Sequence, residues 1–185
     1  MPESITALSA WESFYVIVGS SGGALSGLQF VVITLIADRR HGTTRGGLGA
    51  FATPTVVHLT GALVVSAVMS APWPSTRTLT LVIGAIGVAG LAYAAVVVGR
   101  ARRQTEYQPV WEDWLWYAAL QCLAYGALTF TAFRRPDSST TLFVIGGAAL
   151  GLLLIGIHNA WDTVTHIVVS MSSDGGGAAS GSSPR

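Results

Sequence analysis

A chain of 185 residues with mean hydropathy +0.56 and only 10% charged residues cannot cover itself with a water-facing surface, since a soluble domain carries about 25% charged residues. The net charge of +1 is uninformative as a total. All the basic residues are Arg, confined to short segments between apolar runs and to the tail, which argues against a nucleic-acid partner.

The lone Cys122 sits within an apolar run, so there is no intrachain disulfide framework. The opening segment MPESITALSAWE carries acids and no basic n-region. It does not read as a cleavable signal peptide, and the first apolar run reads as a retained membrane helix. Crossing the hydrocarbon takes about 20 apolar residues. Five stretches qualify: Trp11–Ala37, Leu48–Pro72, Thr78–Val98, Trp111–Phe133 and Thr141–Ser170. The expectation is an all-α, polytopic helix bundle of about five transmembrane helices in the cell membrane. Residues 1–171 form one integral-membrane domain, and the Gly/Ser-rich residues 172–185 form a disordered cytoplasmic tail.

Arginine placement sets the orientation. The first loop holds Arg39, Arg40 and Arg45, and the third holds Arg100, Arg102 and Arg103. The second holds Arg77 and the fourth Arg134 and Arg135. Placing loops one and three in the cytoplasm puts the N-terminus outside and the C-terminus inside.

In chain order, helix one carries Gly19, Gly23 and Gly27 at four-residue spacing, a surface that lets another backbone approach closely. The stripe packs against a neighbouring helix or against a second copy, so self-association is expected. The letters G-x-S-x-G also fall here, around Ser21, but a serine elbow needs a strand-to-helix turn and the match is read as chance. Helix two contains Pro54, which removes a backbone donor and predicts a kink or a frayed first turn. Its only strongly polar interior group is His58. Helix three has no ionisable side chain except Tyr93 and reads as a packing or lipid-facing helix. Helix four opens with Trp111, Glu112, Asp113, Trp114, Trp116 and Tyr117, an interfacial composition, and continues to Gln121. Helix five begins as hydrocarbon and glycine, with Gly147 and Gly151 on one stripe. The same stripe continues through His158, Asp162 and His166, with Asn159 beside it.

Counting about 1.5 Å per residue from the proposed inner ends gives similar depths for four polar residues. Gln29, His58, Gln121 and His158 fall near mid-membrane, with Asp162 at the lower edge of the layer. Glu112, Asp113 and His166 lie closer to the inner mouth. Such a layer has three readings. It fixes helix register by hydrogen bonds. Or it lines a path for a small ion, proton or solute, histidine suiting a relay because its unperturbed pKa is about 6.5. Or it binds a group: His58 and His158 as haem ligands, or His158, Asp162 and His166 around a divalent metal. The sequence assigns no cofactor. An enzyme is disfavoured: no phosphate-binding loop and no HExxH occur, and no spacing singles out Asp113, Asp162 and His166 as a membrane hydrolase. The reading adopted is a homo-oligomeric channel or transporter in the lipid bilayer, with His58, His158, Asp162, Gln29, Gln121 and Asn159 along its path. A structural or partner-binding membrane protein without transport is the alternative.

Overall fold

The structure, a computed structural model, describes residues 8–39, 46–101, 115–134 and 139–179. Five α-helices account for nearly all of them, and no strand occurs among the described residues. They are α1 (Glu12–Arg39), α2 (Gly46–Ser70), α3 (Thr76–Ala101), α4 (Leu120–Thr131) and α5 (Ser139–Ala179). A π-turn, Leu115–Ala119, leads directly into α4. Among the described residues three helices are long and apolar enough to cross a membrane, through Glu12–Leu35, Thr76–Gly99 and Ser139–Thr165. The apolar run Pro54–Ser70 of α2 is shorter, and so is α4.

The outer surface explains why these sequences remain helical. Large apolar side chains stand exposed along all five helices, among them Ile17, Phe30, Val64, Val88, Leu123, Phe143 and Trp161. In water such a surface would be an aggregation liability. In hydrocarbon it costs nothing, and the helix is then required because it satisfies every backbone donor and acceptor internally.

The packing is two helical hairpins joined by the last helix. α1 pairs with α2 and α3 pairs with α4, while α5 lies against both α2 and α4. Glycine makes the close approaches. A Cβ on Gly22 would stand 2.8 Å from the Leu59 carbonyl oxygen, and one on Gly19 would stand 2.9 Å from Ser66 Cβ. From the other side, a Cβ on Gly156 would come within 2.6 Å of the Leu59 side chain. Leu59, itself buried, is thus gripped between α1 and α5. On α3, Gly84, Gly87 and Gly90 form a seam that meets Ala132, Thr129 and Tyr125 of α4 in turn. Helix three is therefore a packing helix on this side and lipid-facing on the other, with Leu81, Val88 and Val96 exposed.

Two details fix the end where α2 gives way to α3. Ser75 Oγ accepts from the Thr78 backbone N–H at 3.1 Å, an N-cap for α3. Arg77 donates from Nη1 to the Ala132 carbonyl at 2.7 Å, tying the start of α3 to the end of α4. At the same end Trp11 meets Phe143 edge-on, with centroids 4.8 Å apart, and packs over Gly146. This joins α1 to α5.

Pro54 lies inside α2, which starts two turns earlier at Gly46, so of the two expected effects the frayed first turn is not seen there. α5 continues as helix through Ala179, into the segment read as a tail from residue 172. Extending an existing helix needs no new nucleus, so a Gly/Ser-rich stretch can follow on. Residues 180–185 lie outside the described residues.

Candidate functional site

The close glycine contacts fix a register across the bundle. Gly61 packs on Leu152 and Leu59 on Gly156, so α5 runs antiparallel to α2, with residue 159 near the level of Thr55. Gly19 packs on Ser66 and Gly22 on Leu59, which puts Gln29 near the same level on α1. The interior of this bundle carries the polar residues. Gln29, Thr55, His58, Ser66, Gln121 and Asn159 are all buried, four of them amides or an imidazole.

His58 is fully enclosed. Its Nδ1 and the Tyr125 hydroxyl share a hydrogen bond of 3.2 Å. The Tyr93 ring stands edge-on to the imidazole at 6.3 Å, and the Gln121 side chain lies beside it. The cluster thus draws on α2, α3 and α4. Gln121 is aimed inward by the π-turn before it, in which the wider spiral re-phases the helix face. Its Nε2 makes only a long contact, 3.5 Å, to the Trp116 carbonyl one π-turn back.

His158 and Asp162 occupy a different place. They form a pair on α5, Nε2 to Oδ2 at 3.2 Å, with side chains 32% and 43% exposed. Trp116 stacks on the His158 ring at 3.8 Å with the planes 18° apart. His58 and His158 are therefore set in separate surroundings, one sealed in the core and one on its flank. Asn159, a single residue from His158, turns the other way and is buried.

The buried polar atoms are unevenly satisfied. Ser26 donates to the Gly22 carbonyl at 2.8 Å and Thr131 to the Leu128 carbonyl at 2.6 Å. Hydroxyls can use their own helix in this way. Seven other side-chain atoms are buried with no protein partner: Tyr15 Oη, Gln29 Nε2, His58 Nε2, Ser66 Oγ, Gln121 Oε1, and both Nδ2 and Oδ1 of Asn159. Buried polar atoms are ordinarily hydrogen-bonded, so each one asks for an explanation.

The glycines named from the sequence divide by environment. Gly19 is at the α1–α2 contact, and Gly23 makes only ordinary contact with Leu63. A Cβ on Gly27, Gly147 or Gly151 would meet nothing within 4 Å. Gly19 is tight as the spacing suggested, and Gly22, Gly146 and Gly156 are further tight positions that the four-residue spacing did not pick out. His166 lies on α5, but its side chain, like the whole of Glu112 and Asp113, falls outside the described residues. Among the described residues no three His, Cys, Asp or Glu side chains converge as a metal site would need.

Sequence reasoning also passed over Tyr125 and Tyr93 as partners of His58, and Trp116 as the platform for His158. An aromatic residue in an apolar run is so often plain packing that no local signal marks it.

No protein family, curated protein or solved structure matches this chain. The functional reading accordingly rests on the site.

Proposed function

We propose that this is a multi-pass membrane protein that lets a small ion, proton or solute pass through its polar interior, along the line of α2. In this reading all five helices cross the cell membrane, with the N-terminus outside and the C-terminus inside. The observation that carries it is the set of seven buried, unpartnered side-chain atoms on α1, α2, α4 and α5. A layer that served only to fix register would pair its members with one another. Each buried polar group left without a partner costs about 1–3 kcal/mol, and an apolar residue of similar shape would avoid that cost. Six residues that each forgo it are accounted for by a passing species that completes their hydrogen bonds.

The half-exposed His158–Asp162 pair, stacked on Trp116, stands toward the inner end of the same helix. There it stands as a hydrogen-bonded polar pair beside the path. The open glycines Gly27, Gly147 and Gly151 offer bare backbone to a second copy, so the protein self-associates in the bilayer.

Reconstitution tests the reading. Proteoliposomes should be more permeable than empty liposomes to at least one of protons, small ions or small polar solutes. Liposomes no leakier than empty ones across that panel would remove the proposal. Reporter fusions at the two termini test the topology, and both ends on one side would overturn five crossings.

A further inference from the structure

The chemistry of the interior bears on what passes. Every buried polar side chain among the described residues is an amide, a hydroxyl or the imidazole of His58, and none is a carboxylate, an Arg or a Lys. Asp162 is the acid nearest this interior in sequence, and it is half-exposed and already occupied by His158. A bare ion entering a low-dielectric interior loses its hydration. It needs opposite charge or a ring of free carbonyls in exchange. Here the backbone carbonyls belong to continuous helices and the described core offers no compensating charge.

What the core does offer is neutral hydrogen-bonding capacity of both kinds. Asn159 presents an unpartnered donor, Nδ2, and an unpartnered acceptor, Oδ1, so both hold whichever way the amide is turned. Gln29 presents an unpartnered donor, Nε2. Both residues are more than nine-tenths buried. The register of the glycine contacts brings both near the level of Thr55, on two helices that each pack against α2 and also touch one another. His58 Nε2 and Gln121 Oε1 lie beside one another toward α4 and are not part of this position.

Resting on the proposal that something passes through this interior, we infer that Gln29 and Asn159 form a binding position for a small uncharged solute that both donates and accepts hydrogen bonds, of the amide or polyhydroxyl type. Such a solute accepts from Gln29 Nε2 and Asn159 Nδ2 and donates to Asn159 Oδ1. Neutral hydrogen bonds repay the dehydration of a neutral molecule but not of an ion.

Proteoliposomes shrunk osmotically with urea or glycerol, read by stopped-flow light scattering, test this beside dye-reported fluxes of protons, sodium, potassium and chloride. The expected result is urea or glycerol entry well above empty liposomes with ion fluxes near background. Asn159→Leu keeps the heavy-atom count and removes both unpartnered atoms. It should cut neutral-solute entry at least about tenfold while the melting temperature of the purified protein holds or rises. Gln29→Met makes the same test from α1 and stands if the first variant fails to fold. Ion flux without neutral-solute flux would overturn the inference and leave the proposed passage intact. Absence of every flux would overturn both. Neutral-solute entry unchanged in a folded variant would overturn the assignment of these two residues, and so would a large loss of stability in both variants, because it would show that their amides are structurally paired.

Discussion

Replacing Gly90 with Ala tests the α3–α4 seam and the His58 cluster together. The added Cβ would run into the ring of Tyr125. That ring cannot swing aside freely, because it is buried and its hydroxyl is held at His58 Nδ1. Overpacking of this kind costs about 1–3 kcal/mol. If the ring shifts enough to break the bond to His58, about 1 kcal/mol more is lost. The control is Gly27→Ala, where the new Cβ meets nothing within 4 Å. There the change should be close to zero or slightly stabilising, since Ala is the better helix former by about 1 kcal/mol. At roughly 2–4 °C per kcal/mol for a chain of this size, Gly90→Ala should lower the melting temperature by several degrees and Gly27→Ala should not. The assay is thermal unfolding of the purified protein in mild detergent, followed by circular dichroism. Equal shifts for the two variants would refute the seam as the structure draws it.

Tyr125→Phe should cost about 1–3 kcal/mol by the same melting assay, because it leaves His58 Nδ1 buried without its partner. Leu59→Ala should cost about 2–5 kcal/mol, since it empties the position gripped by α1 and α5. His158→Ala and Asp162→Asn should each change stability by about 1 kcal/mol or less, as expected of a half-exposed pair. The same two variants should nevertheless lower liposome flux, and unchanged flux would remove the pair from the path.

The membrane class was legible because composition alone decides it: a chain with so little charge and so many exposed large apolar residues has one compatible solvent. The helix positions were legible to within a few residues, apart from the end of α5, as runs of apolar sequence between Arg, Pro and Gly. The side-chain directions were not. His158 and Asn159 are adjacent, yet one faces the flank and the other the core, a consequence of the roughly 100° turn per helical residue. Which way a helix presents itself depends on its neighbours, and a helix that is apolar on all sides carries no stripe to announce it. The glycine spacing misled for the same reason: Gly22, not Gly23, meets the α2 backbone. The π-turn at Leu115–Ala119 re-phases Trp116 against Gln121, and no residue pattern in that segment signals it. On α3 a three-residue glycine ladder was passed over because attention to four-residue spacing hides it.

The claim at the centre is that polar species reach the buried amides from water. Substituted-cysteine labelling measures that directly. Cys122 is the sole native thiol and is exposed on the bundle surface, so Cys122→Ala supplies the background. In that background, Asn159→Cys and Gln29→Cys are treated in proteoliposomes with a small, hydrophilic, membrane-impermeant thiol reagent. Ile145→Cys, at a buried apolar position of α5, is the control. The account predicts that the thiols at 159 and 29 are modified, that the thiol at 145 is not, and that urea or glycerol slows modification at 159. Thiols at 159 and 29 as inert as the one at 145 would contradict it.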